Sequence, residues 1–164
     1  MHVLPLYWIR DLPDGHLAIM PAPPPEALER AVVYWKEEGV DIVVSLLELS
    51  EIPGLIEAEG GLCDEIGLEF LWFPIRDGSV PSSVATFNGL ITRLGEAVAM
   101  GKSVAIHCRA GIGRSAVVAA GVLSYLHIET GAALDMVAEA RKLEVPQTEE
   151  QRQWILDFQP AREA

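Results

Sequence analysis

The sequence has few basic residues for its size. Lysine and arginine together number 12 against 24 aspartates and glutamates, which gives a formal net charge of -12. Proteins that cover nucleic acid or anionic lipid need many Lys and Arg side chains to neutralise phosphates. The composition therefore argues against a nucleic-acid partner and against a membrane partner. Any phosphate-bearing ligand would have to be recognised by a few local groups.

Cysteines and long apolar runs are also scarce. The chain has two cysteines, Cys63 and Cys108, whereas small secreted domains held by disulfides are dense in cysteine. The first residues lack the basic segment and the uninterrupted apolar stretch of a secretion signal. The longest apolar run, 116–126, is shorter than the ~20 residues that a membrane-spanning helix needs. We therefore expect a cytoplasmic location.

No internal repeat and no linker-like change of composition interrupts the 164 residues, half of which are hydrophobic. This favours one domain spanning 1–164. Short apolar segments predict strands, and stretches with apolar residues on one helical face predict helices. The alternation of the two predicts an α/β fold, a single domain with a central mostly parallel sheet flanked by helices. The predicted strands are 16–20, 40–47, 68–75 and 103–107, and the predicted helices are 26–38, a short part of 48–66, 83–99, 114–127, 132–142 and 149–158.

The stretch HCRAGIGRS, residues 107–115, lies between a predicted buried strand and a predicted buried helix. A strand, a glycine-rich loop and a helix N-terminus together gather backbone N–H groups around an anion. In such a setting the pKa of a cysteine can fall from ~8.5 to about 3.5–7.5, which makes Cys108 a candidate nucleophile. Gly111 and Gly113 permit the backbone angles that turn N–H groups inward. The planar guanidinium of Arg114 can hold two phosphate oxygens.

Three motifs in order resemble one enzyme family. HCRAGIGRS resembles the His-Cys-x5-Arg-Ser/Thr signature of the cysteine-dependent protein tyrosine phosphatases, and most closely their small dual-specificity-type branch. PIRDGSVPS, residues 74–82, resembles the general-acid loop of that branch. VPQTEEQ, residues 145–151, resembles the glutamine loop that positions the hydrolytic water. The resemblance covers the catalytic half of the chain, and the first 60 residues contribute little to it.

The resemblance implies hydrolysis of phosphate monoesters on proteins through a cysteinyl-phosphate intermediate, with no metal or other cofactor. Cys108 would be the nucleophile, and Asp77 would act first as general acid and then as general base. Ser115 would hydrogen-bond the departing sulfur, and His107 would support the loop from behind. The phosphate would be bound by the loop residues Arg109, Ala110, Gly111, Ile112, Gly113 and Arg114.

Several assignments keep a structural alternative. Thr148 and Gln151 fit a capping box at the start of the last helix, which leaves Gln147 as the better candidate to align water, and both glutamines stay candidates. Asp77 precedes a glycine and also fits a turn. Cys63 is expected to be structural, and a regulatory disulfide with Cys108 would need their Cα atoms within ~7 Å.

The substrate also has alternatives. Phosphotyrosine on a protein is expected, together with phosphoserine and phosphothreonine, because no segment matches the pocket-deepening loop of the tyrosine-specific members. The same chemistry could act on a phosphoinositide, an inositol phosphate or an RNA 5′-phosphate. A phosphate-binding module without turnover and a rhodanese-like sulfur transferase are further alternatives. Arg114 six positions after Cys108, together with Asp77, favours phosphate chemistry over sulfur transfer. We expect a monomeric enzyme that acts on a phosphorylated protein partner.

Overall fold

The structure is a computed structural model that describes residues 4–161. Five strands and six α-helices lie along these residues, and the apolar patterns predict each of them except the first strand. The strands are β1 (Tyr7–Trp8), β2 (His16–Pro21), β3 (Ile42–Ser45), β4 (Glu69–Trp72) and β5 (Ser103–Cys108). The helices are α1 (Leu28–Glu37), α2 (Leu55–Ile66), α3 (Val84–Ala99), α4 (Arg114–Tyr125), α5 (Thr130–Arg141) and α6 (Glu149–Asp157).

The strands form one mixed sheet in the order β1-β2-β5-β3-β4. Three of the four strand pairs are parallel, and only the short β1 runs antiparallel to its neighbour. This confirms the predicted α/β fold with a mostly parallel sheet. The order differs from a simple β-α-β unit, because β5 lies between β2 and β3 and pairs with both. Strand β1 was not predicted, since two residues are too few to show a periodic pattern.

The sheet separates two apolar layers. Successive side chains of a strand point to opposite faces, so Val104, Ile106 and Cys108 of β5 face the layer built by α3 to α6. Ala105 lies in the other layer, against α1 and α2, and the alternation places His107 on that same face. Helix α4 is buried on all sides against the sheet and its neighbouring helices. The central strand therefore presents consecutive residues to two different environments.

Because β2, β3, β4 and β5 are parallel, their carboxyl ends share one edge of the sheet. The loops that follow β3, β4 and β5 all begin at this edge, where ligands of open α/β sheets bind. No helix within residues 4–161 has both the length and the apolar character that crossing a membrane requires.

Candidate active site

Cys108 is the last residue of β5 and lies at the base of the loop that the sequence singled out. Only 2% of the residue is exposed. Its Sγ is 3.3 Å from the hydroxyl oxygen of Ser115, which is itself buried in the first turn of α4. Helix α4 begins at Arg114, directly after the loop. The positive end of the helix dipole and the unpaired N–H groups of its first turn therefore lie beside the sulfur.

The carbonyl groups of the loop are turned towards the body of the protein. The Arg109 carbonyl accepts from the N–H of Ala22 at 3.1 Å. The Arg141 guanidinium donates to the carbonyls of Ala110, at 3.3 Å, and Gly111, at 3.1 Å. In a trans peptide the C=O and the following N–H point in opposite directions. The N–H groups of the next residues, up to Ile112, are therefore directed away from these contacts, as an anion cradle requires.

Gly111 is required by both its conformation and its surroundings. Its φ of +72° is in the region that residues with a Cβ rarely adopt. A Cβ built at this position would lie 2.7 Å from the Met20 carbonyl carbon and 2.8 Å from the Pro21 nitrogen. Both are backbone atoms of β2 and cannot move aside. The close approach of the loop to β2 therefore depends on glycine.

Arg114 is buried, and its guanidinium reaches the edge of the sheet. Glu51 binds it with two parallel hydrogen bonds, at 2.7 Å to NH1 and 2.8 Å to NH2, and the Ile75 carbonyl accepts from NH1 at 2.8 Å. Burial of Arg114 opposes its charge, but the hydrogen-bonded Glu51 and the charges of Cys108 and Asp77 raise its pKa. For Glu51, burial is again opposed by these hydrogen bonds, which hold the pKa of its carboxyl below the ordinary value. The two groups form a stable ion pair.

This pairing leaves one edge of the guanidinium for a ligand. Glu51 occupies the edge formed by NH1 and NH2, while Nε and the outer hydrogen of NH2 form the second edge of the planar group. Asp77, on the loop after β4, contacts NH2 at 3.2 Å with a side chain that is 56% exposed. The structure thus brings Cys108, Arg114 and Asp77 together at the edge of the sheet.

The two candidate glutamines both lie against the loop. A Cβ on Gly113 would be 3.0 Å from Gln147 Oε1 and 3.0 Å from the amide atoms of Gln151. Gln151 closes a capping box with Thr148, accepting from its N–H, and donates to the Ser79 carbonyl at 3.0 Å. The oxygen and the nitrogen of the Gln151 amide therefore both have hydrogen-bond partners. Gln147 is exposed, and among the described residues its amide has fewer hydrogen-bond partners than the amide of Gln151.

The side chains of His107 and Cys63 lie on the face of the sheet that α1 and α2 cover, opposite to that of Cys108. His107 is fully buried, and its Nε2 is 2.6 Å from an oxygen of Glu59 in α2. Cys63 belongs to the layer of α1 and α2, whereas Cys108 belongs to the opposite layer, and both are free thiols. Burial, followed by the nearby charge of Glu59, raises the pKa of Cys63 to about 12. This fits the structural role expected for Cys63.

Three residues at or behind the site were not found from the sequence: Glu51, Glu59 and Arg141. A weak signal exists for two of them. Glu51 lies in the loop after the buried parallel strand β3, and this loop begins at the edge of the sheet where Cys108 lies. Glu59 interrupts the apolar face that Leu55, Ile56 and Cys63 form on α2. Arg141 carries no such signal, since an arginine near the end of a helix is ordinary.

Comparisons with known proteins agree with this geometry. The family model described as the catalytic domain of dual specificity phosphatases matches residues 41–160. The solved structure of Tk-PTP in its active form is 30% identical, with a TM-score of 0.70, and the match covers 87% of this chain and 90% of that one. No curated protein sequence matches the chain significantly.

Two further solved structures are similar in fold. Kinase associated phosphatase, with its catalytic cysteine replaced by serine, is 22% identical with a TM-score of 0.81, and the match covers 94% of this chain and 93% of that one. PTPMT1 in complex with PI(5)P is 21% identical with a TM-score of 0.67, and the match covers 87% of this chain and 88% of that one.

Proposed function

Because the chain belongs to the family of dual specificity phosphatase catalytic domains, we propose that it hydrolyses phosphate monoesters on proteins through a cysteinyl-phosphate intermediate. Membership of this family establishes the type of reaction, which is cysteine-dependent phosphate hydrolysis. The substrate, the intermediate and the role of each residue are the proposal. The observation that supports it most is that Asp77 contacts Arg114 at the edge of the sheet where Cys108 ends β5, close enough for the charge of Cys108 to act on Arg114.

In the first step the Cys108 thiolate attacks phosphorus, so that an S–P bond forms while the bond from phosphorus to the leaving oxygen breaks. Protonated Asp77 gives its proton to that oxygen, and the alcohol or phenol departs. The equatorial phosphate oxygens lie among the N–H groups of residues 109–113 and on the Nε and NH2 edge of Arg114. A bound phosphate takes the place that Asp77 now has on NH2.

In the second step water attacks the cysteinyl-phosphate. Asp77, now a carboxylate, accepts a proton from the water, an O–P bond forms and the S–P bond breaks. Ser115 donates its hydroxyl proton in a hydrogen bond to the departing sulfur, from which it is 3.3 Å away. Gln147 is the better candidate to orient the water, because the Gln151 amide already has partners on both sides. The route uses no metal and no other cofactor.

The residues around the loop favour a protein substrate with a single phosphate. Arg109 is the one exposed basic residue within the loop, and Ile112 is apolar. A phosphoinositide or inositol phosphate carries further phosphates that need more cations, while Glu51 and Asp77 add negative charge here. The net charge of -12 also opposes an anionic membrane. We therefore propose phosphotyrosine, phosphoserine and phosphothreonine on proteins as the substrates. We also propose that the enzyme is monomeric and cytoplasmic.

The direct test is hydrolysis of an aryl phosphate in the presence of a chelator. Cys108→Ser should lose all measurable turnover and still bind inorganic phosphate, whereas Asp77→Asn should lose most activity on substrates with poor leaving groups. Asp64→Asn is a matched control, since Asp64 is exposed on α2. Turnover that survives in Cys108→Ser, or that disappears with the chelator, would refute the route.

The substrate class is tested separately. Phosphopeptides and soluble phosphoinositides are compared at equal concentration with the wild-type enzyme. We expect a higher kcat/KM for phosphopeptides. A preference for the phosphoinositide would keep the chemistry and overturn the proposed substrate.

A further inference from the structure

Glu59 is a buried glutamate whose side chain has one hydrogen-bond partner among the described residues. Both Glu59 and His107 are fully buried, and Oε2 of Glu59 lies 2.6 Å from Nε2 of His107. Oε1 of Glu59 has no hydrogen-bond partner among the described residues. A buried carboxylate is very costly unless it is paired and hydrogen-bonded. His107 is thus the group that compensates this charge, and it does so by presenting a proton at Nε2.

The second nitrogen of His107 also faces an oxygen atom. Nδ1 is 3.4 Å from the Cys108 carbonyl oxygen, which is long for a hydrogen bond. A carbonyl oxygen can only accept, so this contact is attractive when Nδ1 also carries a proton. An imidazole with protons on both nitrogens is an imidazolium cation. In that state the ring carries its positive charge next to the Cys108 backbone.

The residues around the Glu59–His107 pair come from four secondary-structure elements. Helix α1 contributes the Trp35 ring, whose centroid is 6.2 Å from that of His107, and β3 contributes Ser45, which pairs with His107 in the sheet. Helix α2 contributes Cys63, and β5 continues into Cys108. Of these neighbours the two cysteines titrate, and Cys63 stays a neutral thiol because burial and the charge of Glu59 raise its pKa to about 12. The His107 ring therefore lies between the Glu59 carboxyl group, at Nε2, and the Cys108 carbonyl, at Nδ1.

We propose that Glu59 is a positioning residue for this reaction, whose buried carboxylate keeps His107 doubly protonated behind the loop and thereby favours the Cys108 thiolate. The inference rests on the proposed role of Cys108 as nucleophile. Glu59 does not touch the substrate and transfers no proton. It acts through His107, by fixing a positive charge that a neutral imidazole would not supply.

The protonation state is measured on the wild-type protein by NMR of ¹⁵N-labelled histidine. His107 is assigned by comparison with His107→Asn, because the sequence has 4 histidines. We expect the signature of an imidazolium at neutral pH, and a neutral imidazole in Glu59→Gln, whose amide cannot supply the charge. A neutral His107 in the wild type overturns the proposal even if no Glu59 variant folds.

The effect on the nucleophile is measured by the rate of Cys108 alkylation with iodoacetate as a function of pH. In Glu59→Gln the midpoint of this profile should move to higher pH by roughly one unit, which makes alkylation about tenfold slower below the midpoint. The matched control is Glu57→Gln, an exposed glutamate of the same helix, and it should not change the profile. The Cys108→Ser variant measures the alkylation of groups other than Cys108.

An unchanged alkylation profile in a folded Glu59→Gln protein, with folding verified by thermal unfolding, would overturn the proposal. Neither readout needs turnover of a phosphate ester. If aryl phosphate hydrolysis fails while both results are as expected, the proposed function is wrong and the role of Glu59 towards Cys108 stands.

Discussion

At the scale of single residues, the site depends on how one guanidinium is shared. Arg114 is 2% exposed and could not be buried without anionic and carbonyl partners. Glu51 takes the NH1 and NH2 edge, and the Ile75 carbonyl accepts a second hydrogen from NH1. These contacts fix the orientation of the plane before a phosphate arrives. The second edge is thus oriented in advance, which reduces the cost of binding.

We expect Glu51→Gln to weaken both activity and stability. The neutral amide cannot form two charge-assisted bonds to Arg114, so kcat/KM should fall by about 10- to 100-fold as the guanidinium loses its orientation. The free energy of unfolding at neutral pH should fall by about 1.5–3 kcal/mol. Aryl phosphate kinetics and urea unfolding measure the two effects, with Glu57→Gln as the exposed control. A variant with normal kcat/KM would show that Arg114 does not need Glu51.

The stability effect of Glu51 has a defined pH dependence. The pKa of Glu51 is held below its ordinary value in the folded protein, so the folded state binds the proton less readily than the unfolded state. The contribution is therefore complete above the ordinary Glu pKa of about 4.3 and is lost as pH falls through the lowered value. The difference in unfolding free energy between wild type and Glu51→Gln should shrink in that acidic range. A constant difference down to low pH would contradict this linkage.

At the scale of secondary-structure elements, α6 couples two loops of the site. Gln151 belongs to the first turn of α6, where it closes the capping box with Thr148. The same side chain donates to the Ser79 carbonyl in the loop that carries Asp77, and it lies against Gly113. The start of one helix thus holds the loop of Asp77 over the loop of Cys108.

We expect Gln151→Ala to displace the Asp77 loop. The variant loses the bond to Ser79 as well as half of the capping box, so kcat should fall by about tenfold for aryl phosphates with poor leaving groups, which depend on proton donation. Substrates with good leaving groups should be affected less. Gln153→Ala is the control, because Gln153 is exposed on the same helix. An equal loss for every leaving group would argue against an effect through Asp77.

At the scale of the whole molecule, an aromatic cluster joins the elements that carry the site. Phe87 of α3 is fully buried and lies 4.8 Å from the ring of Trp154 in α6 and 4.8 Å from that of Phe158, both edge to face. Phe73, directly after β4, contacts the Phe87 ring. The cluster therefore connects the helix before β5, the strand before the Asp77 loop and the last helix.

Phe87→Ala should destabilise the entire chain. Removal of a fully buried phenyl ring typically costs about 3–5 kcal/mol of unfolding free energy, because a cavity remains. Met100→Ala is the control, since Met100 is 80% exposed and its loss should change stability by less than about 0.5 kcal/mol. Urea unfolding measures both variants. A loss below 1 kcal/mol for Phe87→Ala would show that the cluster can rearrange around the gap.

The sequence by itself determined the features that depend on neighbouring residues. The helices and the longer strands follow from apolar periodicity, and the capping box follows from two residues three positions apart. The loop 107–115 could be identified because strand, glycines and helix N-terminus are contiguous. The tertiary structure alone decided which distant charges meet. Glu51, Glu59 and Arg141 lie between 30 and 63 positions from their partners, and no local pattern records a contact that forms only when β5 is placed between β2 and β3.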